Sequence, residues 1–277
     1  MSTAKTSSPE SDASAAPILE TADQDGIRRL TLNRPAARNC LSDELMILLK
    51  EEIEKVGHDA SIRTIVIAAR GVAFCAGHDL KELKVYQKGA DGGASFFQRL
   101  FHLCGDLMVS IVECPKPVIA EVQGIATAAG CQLVATCDLA IAASSAKFAT
   151  PGVNIGLFCS TPMVALSRNI GRKKAMEMLM TGEPISAEKA KQLGLVNEVV
   201  ADDQLQDAVV QLAAKIGAKS TAVVALGKKA FYEQTDMNLR DAYTYTGEVM
   251  TRNMLAEDAN EGITAFIEKR EPTWRDR

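Results

Sequence analysis

The chain has 277 residues, 47% of them hydrophobic, enough to bury the core of one large domain or of one domain with a helical appendage. A net charge of -4 with no basic run excludes a nucleic-acid surface or an anionic membrane as the partner and leaves a small molecule. Three scattered histidines (His58, His78, His102) and seven cysteines without a C-x-x-C pair give a zinc site little to build from, so no metal is expected.

Residues 1–17 are rich in Ser and Ala, with Pro9, Glu10, Asp12 and a single Lys5. This composition predicts a disordered tail that has neither the apolar stretch of a signal peptide nor the arginines of a transit peptide. The cysteines in apolar stretches, such as Cys75, Cys104, Cys131 and Cys137, read as reduced core thiols. Together these features predict a cytoplasmic location rather than the mitochondrial matrix.

Ile27–Leu32 reads as a strand, followed by the loop N-R-P-A-A-R-N and a helix capped by Ser42 that runs to about Val56, with Leu45, Leu48, Leu49 and Ile53 on one face. Thr64–Ala69 is a second strand. Phe96–Val112 repeats Leu100, Leu103, Leu107 and Ile111 at helical spacing, and the Cys114–Pro117 cluster stops it. Pro117–Val122 and Asp138–Ala142 are strands with a helix between them. Beyond Thr161, segments 162–181 and 186–193 are helical, Leu195–Val200 is a short strand, and Gln204–Lys269 has helical period. The alternation predicts an α/β core over 18–200 with a mainly parallel sheet, and a helical region over 201–277 that packs on a neighbouring subunit or covers its own core.

Two segments share a plan. Strand Thr64–Ala69 leads to A-G-H-D-L at Ala76–Leu80, and strand Pro117–Val122 leads to the small-residue stretch Gly124–Asp138; Gly77 and Gly130 each sit just before a helix. Two such turns can aim two backbone N–H groups at one point, an oxyanion hole that needs small residues so that a carbonyl can come close. The same turns also serve simply to let a helix pack on a sheet.

The segments Phe74–Leu83 (F-C-A-G-H-D-L-K-E-L), Lys116–Leu133 (K-P-V-I-A-E-V-Q-G-I-A-T-A-A-G-C-Q-L), Cys137–Ala142, Met178–Ala190 and Glu261–Arg270 together resemble the crotonase, or enoyl-CoA hydratase/isomerase, superfamily over about residues 18–272. Within it, Phe148–Pro162 and Ala76–Leu83 are most similar to one particular branch. The resemblance implies a crotonase (ClpP/crotonase-like) α/β fold of repeated ββα units with a helical C-terminal trimerisation region. It also implies an acyl-CoA ligand with no tightly bound cofactor, and assembly into homotrimers or dimers of trimers. By motif position, the N–H groups of His78 and Ala129 hold the thioester oxygen, and the His78 imidazole only fills space. The CoA moiety is expected against Ala36, Ala37, Arg38, Ala76, Gly77, Leu80 and Gly130, with Phe266 and Lys269 reaching it from a neighbouring subunit.

The chain departs from the family's pattern at both usual catalytic glutamates, where it has Gln132 and Gly152. An amide cannot exchange protons and glycine has no side chain, so hydration by the usual two-acid route is not expected. Phe158, Cys159 and Ser160 stand where some relatives place an aspartate, and Cys159 reads as a buried thiol. Asp79 and Glu82 either reach the CoA moiety or simply cap and solvate a helix, the reading that early-helix acids favour. The sequence thus predicts a protein of acyl-CoA metabolism that stabilises a thioester enolate. The alternatives are a non-catalytic acyl-CoA binder, or an enoyl-CoA isomerase or thioesterase-type member with a different acid or base.

Overall fold

The computed structural model describes residues 16–277, so the tail predicted over 1–17 lies, except for its last two residues, outside the described residues. Strands β1 (Leu19–Gln24), β2 (Ile27–Leu32), β3 (Thr64–Ala69), β5 (Val118–Val122), β7 (Leu139–Ala143) and β10 (Glu198–Val200) form one sheet in the order β1-β2-β3-β5-β7-β10. All its pairings are parallel except the β1-β2 hairpin. A second sheet, in the order β4-β6-β8-β9, pairs β4 (Ala73–Cys75), β6 (Ile125–Thr127) and β8 (Lys147–Ala149) in parallel and closes with antiparallel β9 (Ile185–Ser186).

The central strands are buried on both faces, and their side chains divide with period two. Ile65 and Ile67, Val118 and Ala120, and Ala140 and Ala142 point into the main core. There they meet α1 (Asp43–Gly57), α3 (Ala94–Glu113) and α4 (Ala129–Thr136) through Leu45, Leu49, Ile53, Leu100, Leu107 and Leu133. Val66, Ala68, Ile119, Ile141 and Ala143 face the other way, onto Leu205, Val209 and Ala213 of α8 (Leu205–Gly217). The Ser42 side chain accepts from the Leu45 N–H and caps α1, as the sequence predicts.

The first helical segment after Thr161 is divided into α5 (Pro162–Asn169) and α6 (Arg172–Thr181) around Gly171. A further short helix, α7 (Ala187–Leu193), follows β9. Beyond α8 the chain continues as α9 (Thr221–Thr235), α10 (Leu239–Met254) and α11 (Glu257–Glu268). Helix α9 is tied to the core by a buried cluster: Lys228 Nζ donates to Asp138 Oδ2 (2.6 Å) and to the Ile111 and Lys116 carbonyls, and the Tyr232 hydroxyl donates to Asp138 Oδ1 (2.9 Å). The helical region therefore covers its own core with α8, while α10 and α11 expose Leu239, Tyr243, Leu255, Phe266 and Ile267.

Candidate active site

Strands β4, β6 and β8 lie side by side and parallel, so the turns after them open on one edge of the second sheet. Those turns carry His78, Ala129 and Gly152. In an α/β arrangement this C-terminal edge is where ligands gather.

The His78 turn is fixed by the loop before α1. The Leu41 N–H donates to the Gly77 carbonyl (2.8 Å) and the Asp79 N–H to the Leu41 carbonyl (3.3 Å), so Leu41 pairs across from His78 as in a parallel ladder. In such a ladder the residue opposite makes its own bonds on the other side. The His78 N–H thus points away from Leu41, toward the β6 turn. There the packing is close: a Cβ on Gly77, which sits at φ +93°, would lie 3.0 Å from Ala128 Cβ and 3.5 Å from the Ala129 nitrogen. A Cβ on Gly130 would overlap the Cys75 carbonyl. Only glycines allow the two turns to meet.

Ala128 precedes α4 with φ +49° and ψ -119°, a conformation that an L-residue rarely adopts, and its N–H donates to the Ala149 carbonyl (2.9 Å). This turn presents the Ala129 N–H at the first position of α4, where the helix leaves its N–H groups unpaired. Among the described residues, neither the His78 nor the Ala129 N–H donates to a protein acceptor. Two free donors at the touching ends of adjacent strands can bind a carbonyl oxygen and the negative charge it gains.

Gln132, on the first turn of α4, is buried, and Cys104 Sγ of α3 donates to its Oε1 at 3.8 Å. Gly152 is also buried, in the 3-10 turn Pro151–Ile155. A Cβ there would lie 2.9 Å from Cys159 Sγ and 3.0 Å from the Leu157 carbonyl, so the thiol fills the space in which a side chain at 152 would begin. The sequence reading missed this contact. Burial raises the Cys159 thiol and pushes Cys75, Cys104 and Cys131 up to about 12, so these groups stay protonated near neutrality.

The residues expected against CoA divide into two groups. Ala36 and Ala37 lie in the 3-10 turn Pro35–Ala37, and the carbonyl of Arg38 (φ +51°) accepts the Ala76 N–H at 3.1 Å, which brings 36–38 against 76–77. Asn39 locks this loop by donating to the Arg70 and Ala73 carbonyls. Leu80, exposed at the start of α2 (Leu80–Tyr86), adjoins the same turn. Phe266 and Lys269 stand at the end of α11. Lys269 caps the end of α11, and the C-terminal segment after it docks through Trp274 on the Ala218 carbonyl and through Asp276 on the Thr221 N–H. Phe266 is 84% exposed.

Asp79 caps α2 and pairs with Arg34 at 2.9 Å; burial raises its carboxyl, but the Arg34 bond and the helix N–H groups outweigh that and hold it below its ordinary value. Glu82 accepts the Asp43 N–H, and its carboxyl is raised by burial. Both acids therefore have structural partners: Asp79 caps α2, and Glu82 bonds the start of α1. Among the described residues no group of three or more His, Cys, Asp or Glu side chains could hold a metal ion.

Comparison with known proteins comes to bear on this geometry. A family model described as Enoyl-CoA hydratase/isomerase matches residues 22–277. Enoyl-CoA hydratase domain-containing protein 3, mitochondrial, of Xenopus laevis is 48% identical over 93% of this chain and 86% of its own length. A solved enoyl-CoA hydratase of Mycobacterium smegmatis superposes with a TM-score of 0.89 at 51% identity, covering 94% of this chain and 99% of that one. Human enoyl-CoA hydratase domain-containing protein 3 gives 0.89 at 45% identity over 93% and 100%. This is the branch that Phe148–Pro162 and Ala76–Leu83 resemble.

The cytoplasmic location expected from the sequence is corrected by these relatives. The Xenopus protein and its mouse, rat and human counterparts, at 45–48% identity, are all named mitochondrial. Fold and thiol burial carry no address, because compartment is read from short signals rather than from the core.

Proposed function

Because the chain belongs to the enoyl-CoA hydratase/isomerase family and has its crotonase fold, we propose that it binds an acyl-CoA thioester with the carbonyl oxygen between the His78 and Ala129 N–H groups. The observation that carries this reading is the pair of unpaired N–H donors on turns that only Gly77 and Gly130 allow to touch. Donors fixed before the ligand arrives stabilise an enolate oxygen without reorganisation, and losing one such donor costs about 10²–10³ in rate.

On this reading the CoA moiety lies along Ala36, Ala37, Arg38, Ala76 and Leu80, and no tightly bound cofactor takes part. The protein is a homotrimer or a dimer of trimers in which Phe266 and Lys269 of one subunit reach the CoA of the next; lysine suits phosphate as a mobile point charge. The exposure of Phe266 and of Lys269 at the end of α11 supports that exchange.

Calorimetric titration of the purified protein with crotonyl-CoA, butyryl-CoA and a long-chain acyl-CoA tests the reading. Micromolar binding that disappears in Gly130→Ala is expected; no binding by any of the three overturns it. A second reading, a binder without turnover, is favoured by Gln132 and Gly152. Gln132→Glu distinguishes the two: a gain in crotonyl-CoA hydration marks a hole that lacks only an acid, and unchanged inactivity favours the binder.

A further inference from the structure

A backbone donor aims only as well as its peptide is held, and the two donors at this edge are held differently. The Ala129 N–H opens α4, and the carbonyl of the same peptide, that of Ala128, accepts the Gln132 N–H at 3.0 Å, so a helix stands behind it. His78 lies before α2 begins and has no helix behind its N–H. Its peptide is held instead by the loop that precedes α1.

From the His78 N–H the hydrogen bonds lead back to a single side chain. The Gly77 carbonyl, in one peptide with the His78 N–H, accepts the Leu41 N–H at 2.8 Å. The Cys40 carbonyl, in one peptide with that Leu41 N–H, accepts Nη1 of Arg34 at 2.6 Å and also takes the Ser42 N–H at 3.1 Å. Both peptides are trans, so each N–H points away from its own carbonyl and the bonds run on in one direction. Two peptide groups thus stand in line between a guanidinium and the free donor, and each bond in such a chain polarises the next.

The guanidinium is itself fixed. Its Nη2 pairs with Asp79 Oδ2 at 2.9 Å, the Arg34 N–H donates to Asn39 Oδ1 at 2.8 Å, and Asn39 is tied in turn to the Arg70 and Ala73 carbonyls. Arginine suits the place because its planar fork serves two acceptors at once, a carbonyl with one amino group and a carboxylate with the other. The Asp79 carboxylate offsets part of the charge, so holding the peptides in line is the larger share of the effect and polarising them the smaller. The Arg34 and Asp79 side chains are 22% and 15% exposed, mostly out of water, where such bonds are stronger.

We propose that Arg34 is a positioning residue of the oxyanion hole: through the Cys40–Leu41 and Gly77–His78 peptides it aims and strengthens the His78 N–H that receives the thioester oxygen. The proposal rests on the acyl-CoA reading above and adds to it a side chain that acts through two peptide groups. The bond from Arg34 to Cys40 also closes the loop that carries Ala36, Ala37 and Arg38. The surface expected against CoA and the aim of the hole therefore share one brace.

The test is difference infrared spectroscopy of butyryl-CoA labelled with heavy carbon at the carbonyl, at saturating ligand, with binding read by calorimetry and stability by urea unfolding. In the wild type the thioester carbonyl band is expected at lower frequency than in water. Arg34→Met is expected to give back at least about 10–30% of that displacement. Arg34→Lys, a cation with donors but no fork, should keep more of it than Arg34→Met and less than the wild type. A role confined to folding would lower the urea midpoint and leave the band of the bound thioester in place. A wild-type band in bound Arg34→Met overturns the proposal and leaves the acyl-CoA reading intact; if Arg34→Met does not fold or bind, a wild-type band in Arg34→Lys overturns it in the same way. Wild-type binding without displacement of the band, or no binding, overturns the acyl-CoA reading and the proposal with it.

Discussion

A glutamate at position 152 has no room for its first carbon, since Cys159 Sγ and the Leu157 carbonyl would lie 2.9 and 3.0 Å from it. Gly152→Glu is therefore expected to destabilise the protein by about 1–3 kcal/mol in urea unfolding, and Gly152→Glu with Cys159→Gly to recover part of that loss. An unchanged midpoint for Gly152→Glu would refute the steric account. His78 gives a second prediction. Its pKa is lowered in the folded protein, so below the ordinary value near 6.5 the unfolded chain binds more protons and stability falls with pH, by at most about 1.4 kcal/mol per pH unit. Above that value the contribution is constant. The pH dependence of the unfolding free energy in His78→Gln, subtracted from that of the wild type, should show this slope between about pH 6.5 and the lowered folded value. A flat difference would mean that the ring is not held neutral by burial.

At the scale of elements, the proposed oxyanion hole depends on two turns whose backbones touch, and Ala128 bears the cost. Its φ of +49° carries strain of about 1–3 kcal/mol, so Ala128→Gly is expected to be neutral or stabilising by up to about 2 kcal/mol while the Ala129 N–H keeps its aim. A clear loss of stability in this variant would show that the turn is not strained. Helix α9 offers a contrasting case, because what fixes it is a buried ion pair. With the Lys228 side chain 8% exposed and Asp138 14%, Lys228→Ala leaves an uncompensated carboxylate and is expected to cost about 3 kcal/mol or more. Tyr232→Phe, which removes one bond to the same carboxylate, should cost about 1.5–3 kcal/mol. Equal, small effects in both variants would contradict the idea that this cluster anchors α9.

For the whole molecule, the six-stranded sheet is covered on both faces by helices of its own chain, so the apolar residues left exposed on α10 and α11 are surplus to the monomer's core. Light scattering is expected to give the mass of a trimer or a hexamer. A monomer would remove the route by which Phe266 and Lys269 reach a CoA moiety.

Much of this was legible in the sequence because it is written in local periods. Ile65 and Ile67 alternate with Val66 and Ala68, Leu45, Leu49 and Ile53 repeat at helical spacing, and Ser42 caps the helix they lie on; each follows from nearest neighbours along the chain. The two glycine turns were visible in the residues themselves, while Gln132 and Gly152 were singled out only by the resemblance to the family's pattern. The three-residue strands β4, β6 and β8 were not, because so short a segment has no period to detect, and yet their pairing is what sets His78, Ala129 and Gly152 on one edge. Nor could the chain order say that Cys159 fills the place of a side chain at 152, that Phe101 packs on the His78 ring, or that Cys104 bonds Gln132. Those contacts join residues from separate elements, and only packing in three dimensions decides which atoms share a site. The sequence by itself determined the periods of the core elements and, through family resemblance, the fold class; the tertiary structure decided that the turns at Gly77 and Gly130 touch and that Cys159 fills the space beside Gly152, because such contacts join residues distant along the chain.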